Sequence, residues 1–289
     1  ELQHKVRPEF WDNLIHFEGN ANAFRLLAHR FHGRREGGFV MTYSTLASIV
    51  KYPYSSLAAG KKGKFGFFCF EEHYYRRIAD ELGIRRLSAD DEPLRYARHP
   101  LVYLVEAADD ICYEIMDIED AHKLRILSFD ETMQLLLGFF DNCQREKIQK
   151  RIDEEGITDN NEKVVYLRAC AIGKLESECA RAFVEHESEI LNGTLKGCLI
   201  DHITPLVSDA YRHCSELSVQ RIYNSKPVLD VELSGYKIME TLMDALIEAA
   251  VSPEKFHSEQ LRKRFSNQCD INSPDFETRV MAVIDFISG

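Results

Sequence analysis

The chain has 289 residues, with 36 basic and 47 acidic side chains and a formal net charge of −11 at pH 7. With 45% hydrophobic and 29% charged residues it reads as globular, which excludes a disordered or collagen-like chain. The acidity argues against a dedicated nucleic-acid binder, and no apolar run of about 18 residues is present to cross a membrane. Nothing at the start, Glu1, resembles a signal peptide, and the end is the apolar run Val283–Gly289; both ends are expected to be cut from something longer, or to be the limits of what is ordered.

Glycine and proline are sparse, and alternating strand patterns are scarce, so an all-α fold is expected. His29 and His32 lie three apart, a spacing that could hold a metal. No carboxylate accompanies them, and a solvated helix end beside Arg30, Arg34 and Arg35 is the simpler reading. Thr42–Lys51 reads as a helix that Pro53 ends, with Lys51 and Tyr52 at its last turn. The glycine-containing stretch Ser55–Gly66 then carries Lys61, Lys62 and Lys64. Lysines on a pliable backbone suit phosphate oxygens, although the order is not that of a P-loop and a solubilising surface loop fits as well. A helix from about Glu71 closes at Gly83, and Leu87–Ala89 is expected to be extended.

The segment Val102–Leu124 is the most informative. Leu101, Leu104, Val105, Ala108, Ile111, Cys112 and Ile115 follow a 3.6-residue period. Among them stand Glu106, Asp109, Asp110, Glu114, Asp117, Glu119 and Asp120. Asp109, Tyr113 and Asp117 fall on one helix face that borders the apolar stripe, so Asp109 is expected to be partly buried. A buried carboxylate pair needs a compensating cation, either a metal ion or basic side chains that also hold phosphate; the simpler alternative is a solvated acidic face.

Ser128 to Glu131 form a capping-box start for the next helix. The polar Ile152–Glu162 segment is the expected boundary between two helical halves, 1–151 and 152–289. Beyond it, Leu167–Leu191 reads as one or two helices, Val228–Leu233 as extended and Val231–Val251 as a strongly apolar helix. Ser252-Pro253 and Ser273-Pro274 read as helix starts. Eight cysteines without a Cys-x-x-Cys pair point to reduced thiols in a cytoplasmic protein without a structural zinc.

Taken together, His16–Leu27 (HFEGNANAFRLL), Met41–Pro53 (MTYSTLASIVKYP), Lys64–Phe68 (KFGFF), His99–Ala121 (HPLVYLVEAADDICYEIMDIEDA) and the tail Val283–Gly289 (VIDFISG) resemble, in order, blocks of the dGTP triphosphohydrolase-like branch of the HD-domain phosphohydrolases. The resemblance implies the all-α HD-domain fold with additional C-terminal helices. It implies hydrolysis of a deoxynucleoside triphosphate to the deoxynucleoside and intact triphosphate, and commonly a hexamer. By position Asp109 resembles the last aspartate of the family's metal site. Tyr113 and Asp117 fall where the family lines the triphosphate and sugar, and Asn20, Lys51, Tyr52 and Lys64 match substrate-contacting positions. The implied cofactor is a divalent metal, Mg or Mn first, with Zn, Ni, Fe or Co as alternatives. A nucleotide or single-stranded DNA effector is known in some members, but no residue here can be assigned to one.

The chain departs seriously from the family pattern in one respect, in that it contains no His-Asp dipeptide; lesser departures are Asn22, where the family often has glutamine, and the absence of the Met-Thr-Asp continuation after Gly289. The resemblance implies that the first histidine, the His-Asp doublet and the general-acid histidine lie upstream, so the chain by itself is expected to be inactive. Two alternatives remain at this stage: a non-catalytic nucleotide-binding module of the same fold, and another HD-type hydrolase acting on phosphodiesters or guanosine polyphosphates.

Overall fold

The computed structural model describes residues 2–289 and contains, among them, thirteen α-helices and no β-sheet; extended pairing is limited to two isolated antiparallel bridges, Tyr54 with Arg95 and Arg86 with Tyr96. The helices are α1 (Pro8–Ile15), α2 (Gly19–Ala28), α3 (Tyr43–Ser48), α4 (Glu72–Leu82), α5 (Pro100–Lys123), α6 (Phe129–Leu137), α7 (Asn142–Glu154), α8 (Asn160–Glu185), α9 (Glu187–Leu191), α10 (Pro205–Leu217), α11 (Lys226–Val251), α12 (Phe256–Arg262) and α13 (Phe276–Ser288). Local chemistry sets many of the ends. Thr42 accepts the Thr45 amide at 3.2 Å, and Gly83, at φ +64°, stops α4 where a side chain would be strained. Ser128 and Asp141 each form a full capping box, and Asp159 caps α8 through two amides.

Four elements differ from the sequence expectation. Val228–Leu233 is not extended but forms the opening turns of α11. Its apolar-acidic alternation fits a strand, yet the uninterrupted helical pattern that follows carries the helix back through it. Leu87–Ala89 is not a strand; it only flanks the bridge at Arg86. The helices after Ser252 and Ser273 start later than those serines: α12 follows Lys255, and α13 is capped by Asp275, which accepts the Thr278 amide at 2.8 Å.

The chain forms two compact units, one made of residues up to Val102 with Gly235–Gly289, the other of Tyr103–Ser234. This division differs from the expected one at 151/152: the polar segment around Gly156 is a turn between α7 and α8, inside the second unit. The second unit is built around one core. Ile111, Ile115 and Ile118 of α5 pack with Leu135 and Leu136 of α6, Leu167 and Leu175 of α8, and Val207 and Cys214 of α10.

The first unit is rich in aromatic rings. Phe67 stacks on Tyr75 at 4.8 Å, and Tyr75 meets Phe24 and Tyr96 edge-on. Gly66 is required there, because a Cβ would collide with the Tyr52 carbonyl oxygen and the Val50 side chain. The Gly66 amide donates to the Tyr54 carbonyl at 3.1 Å. This close approach brings the Lys64–Phe68 segment against the Lys51–Tyr54 turn.

A buried ion cluster ties three parts of the first unit together. Arg25 of α2, 4% exposed, donates through Nε and Nη2 to the two carboxylate oxygens of Asp285 on α13 at 2.7 and 2.8 Å. Its Nη1 lies 2.5 Å from Glu71, the residue before α4. Burial opposes the charge on Arg25, but the two carboxylates outweigh it and raise its pKa. His29 joins this cluster, with Nδ1 3.0 Å from Glu71, so its partner is a carboxylate in the fold and not His32.

Candidate functional site

The residues singled out from the sequence fall into two sets, one on each unit. In the first unit, two of them meet on a residue that the sequence reading did not single out. Glu18, 4% exposed, ends the turn before α2. One of its oxygens accepts from Asn20 Nδ2 at 2.6 Å, and the other pairs with Lys64 Nζ at 2.8 Å. Asn20 and Lys64 are 44 positions apart in sequence and are held by one buried carboxylate. Burial disfavours the Glu18 anion, but Lys64 and Asn20 outweigh it and its pKa falls below the usual value. The Glu18 carboxylate in turn raises the Lys64 pKa, which Tyr52 raises further and Lys51 opposes, so these side chains share one electrostatic neighbourhood. The Lys51 carbonyl accepts from Arg98 Nε at 3.1 Å, which fixes the end of the Lys-Tyr-Pro turn. Half of the Lys64 side chain remains exposed, so the ammonium is positioned and still reachable.

In the second unit, α5 presents Asp109, Tyr113 and Asp117 on one face, but it is the outer face. Asp109 is exposed, contrary to the expected partial burial, and Tyr113 is 62% exposed. The helix is turned by about one residue, roughly 100°, from the expected orientation. Val102, Tyr103, Ala107, Ile111, Ile115 and Ile118 face the core, and Leu101, Leu104, Val105, Ala108 and Cys112 do not. The acids that α5 buries are Glu106, Glu114 and Glu119. Among the described residues no partner engages the Asp109 carboxylate. Asp117 is held by Tyr223, whose hydroxyl donates to Oδ2 at 2.7 Å. Burial and the bond to Asp117 raise the Tyr223 pKa, so the phenol keeps its proton and remains a donor. Tyr223 follows a π-helical turn over Ser218–Ile222 that also aims the Ser218 hydroxyl at Glu114 Oε1, 2.9 Å away. No sequence signal pointed to Tyr223, which lies 106 positions from Asp117.

Burial raises the Glu114 pKa; its serine hydrogen bonds lower it less, and Asp117 adds to the rise. Between the unfolded value and this raised value the folded chain binds more protons than the unfolded one, so Glu114 lowers stability as pH rises through that window. Glu114→Gln keeps an acceptor for Ser218 and removes the charge. It is expected to raise the melting temperature at pH 7–8, with the gain fading at about pH 4, where the unfolded carboxyl is also protonated. Melting curves at the two pH values check this; equal gains at both would contradict the ionisation account.

The donor chemistry bears on a metal as follows. Asp109 offers one exposed, unengaged oxygen ligand. Among the described residues no group of three His, Cys, Asp or Glu side chains stands together to hold an ion. Asp109 can therefore be one member of a ligand set that these residues do not complete. All eight cysteines are unpaired, and among the described residues no helix is long and apolar enough to cross a membrane.

No family model matches the chain. Individual relatives do. The chain is 34% identical to a "Deoxyguanosinetriphosphate triphosphohydrolase-like protein" of Pseudomonas aeruginosa, an alignment that takes in 100% of the chain and 65% of the relative. It is 28% identical to a protein of the same name in Synechocystis, over 94% of the chain and 62% of the relative. With a "Deoxyguanosinetriphosphate triphosphohydrolase" of Yersinia enterocolitica the identity is 26%, over 86% of the chain and 50% of the relative. The chain thus spans half to about two thirds of the length of these relatives. Over its whole length the chain is similar to the deoxyguanosinetriphosphate triphosphohydrolase-like protein of Pseudomonas aeruginosa, and over 94% and 86% of its length to the other two.

Proposed function

We propose that the whole protein hydrolyses a deoxynucleoside triphosphate, dGTP or several dNTPs, to the deoxynucleoside and inorganic triphosphate in a metal-dependent reaction. Water gives up a proton as it attacks the α-phosphorus, the bond from phosphorus to the 5′ oxygen breaks, and the leaving oxygen takes a proton from a general acid. Lys51 and Lys64 balance charge on the triphosphate, Asn20 and Tyr52 orient it, and Tyr113 and Asp117 contact phosphate and sugar. Asp109 supplies one ligand to the metal. The reading is supported above all by the convergence of Asn20 and Lys64, from separate blocks of the family pattern, on the buried Glu18. A cytoplasmic setting and a homo-oligomer, hexameric by family likeness, belong to the same proposal.

Lys64→Ala tests the role of this cluster. A lost charge-assisted contact of about 1.5–3 kcal/mol corresponds to a rise in KM of roughly tenfold or more, with a smaller change in kcat. Lys62→Ala, in the same stretch, serves as the control and is expected to leave KM unchanged. Steady-state kinetics of the two variants decide: equal KM values for Lys64→Ala and the parent remove Lys64 from the site.

A further inference from the structure

The chain carries a net charge of −11, yet the end of α5 gathers His122, Lys123 and, just beyond it, Arg125. An open cavity of about 410 Å3 lies there, bordered by these three side chains, by Glu119 and by Asn161 in the first turn of α8. Glu119 is 2% exposed, and its oxygens are divided between two cations: Lys123 Nζ lies 2.8 Å from Oε1 and Arg168 Nη1 2.5 Å from Oε2. One buried carboxylate thus fixes a lysine from α5 and an arginine from α8. Asp120 touches the same lysine at 3.3 Å.

Basic side chains in the last turn of a helix are favoured by its carbonyl ends, and that accounts for His122 and Lys123. Arg125, just past the helix end, adds a third basic side chain to the same cavity. This residue sits beyond the helix at φ +60°, a left-handed conformation that costs a non-glycine residue energy. Its backbone closes the helix, with the Arg125 amide on the His122 carbonyl at 3.0 Å and the Ile126 amide on the Ala121 carbonyl at 2.8 Å, while its guanidinium has no partner among the described residues. The His122 Nδ1 atom is likewise buried without a hydrogen-bond partner.

We propose that this cavity is an anion site for a phosphate chain, that of an inorganic polyphosphate or of a nucleotide. Lys123 and Arg125 contact the phosphate oxygens, one as a point charge and one as a planar fork, and Asn161 adds neutral donors. Glu119 is a positioning residue that holds Lys123 in place. The volume exceeds that of a single phosphate group. The site lies about 20 Å along α5 from Asp109, at 1.5 Å per residue, and shares no residue with the proposed catalytic set.

The test reads the site locally, so that it does not depend on turnover. The whole protein is treated with an amine-acetylating reagent, and labelling of Lys123 is followed by mass spectrometry, with the exposed Lys150 as internal reference. Inorganic phosphate, pyrophosphate, tripolyphosphate and a nucleoside triphosphate are added in turn. Tripolyphosphate is expected to slow labelling of Lys123 at least fivefold and to leave Lys150 unchanged. Equal protection by tripolyphosphate and nucleotide identifies the phosphate chain alone as the ligand. Protection at tenfold lower nucleotide concentration identifies the nucleotide. Arg125→Gly and Arg125→Asn, both compatible with a left-handed backbone, are expected to abolish protection without lowering the melting temperature. Absence of protection up to 10 mM of every probe overturns the proposal, as does full protection in both Arg125 variants.

Discussion

Asp109→Ala is expected to abolish turnover in the whole protein, by at least about a hundredfold, while leaving the helical fold and its melting temperature unchanged. The two halves of this expectation have separate grounds. Asp109 is exposed, engages no partner among the described residues and lies in the middle of α5. Alanine is the better helix former there, so the substitution carries no structural cost. Any loss of turnover then arises from chemistry and not from unfolding. Asp109 also differs from its neighbours in this respect: Glu106 and Glu114 face inward, and their removal would disturb the core as well. Circular dichroism, thermal melting and kinetics on one preparation check the prediction. Normal turnover in the variant removes Asp109 from the site.

Asp285→Ala is expected to have the largest effect on stability, about 3–5 kcal/mol, because it leaves Arg25 buried with half of its compensation gone. Arg25 spans α2, the start of α4 and α13 and is paired bidentately with Asp285. No water-exposed route lets it relax, since its side chain is 5% exposed. Replacing Arg25, Glu71 and Asp285 together by apolar residues should cost less than the single change, because no uncompensated buried charge of the Arg25 cluster remains. Urea unfolding of the single and triple variants measures both terms. A loss below 1 kcal/mol in Asp285→Ala would show the cluster to be peripheral to the fold. The result also bears on the Val283–Gly289 block: in this structure its aspartate has a structural task.

Much of the fold was legible because the signals were local. The capping box at Ser128, the glycine stop at Gly83 and the apolar helix through Val251 each depend on a few adjacent residues. The orientation of α5 was not legible, and the reason is specific. Leu101, Leu104, Val105 and Ala108 make one apolar stripe, and Val102, Tyr103 and Ala107 make another about 100° away. Periodicity alone cannot rank the two. Contacts distant in sequence decide: the Tyr103 hydroxyl donates to the Leu195 carbonyl at 3.2 Å, and the Tyr211 hydroxyl to the Asp110 carbonyl at 3.3 Å.

The candidate site shows the same division. Asn20 and Lys64 could be named from blocks of sequence, but the carboxylate that joins them could not. Glu18 reads as one acid among many until burial and two partners distinguish it. Tyr223 has no local signal at all, because its partnership with Asp117 exists only through the π-helical turn that precedes it.

The most direct test of the proposed function is the identity of the products. The whole protein is incubated with each dNTP in the presence of magnesium or manganese, with Asp109→Ala in parallel, and the products are separated. The proposal predicts deoxynucleoside and intact inorganic triphosphate in equal amounts from the parent protein and neither from the variant. Pyrophosphate with a nucleoside monophosphate, or orthophosphate with a diphosphate, would place the cleavage at another bond and contradict it.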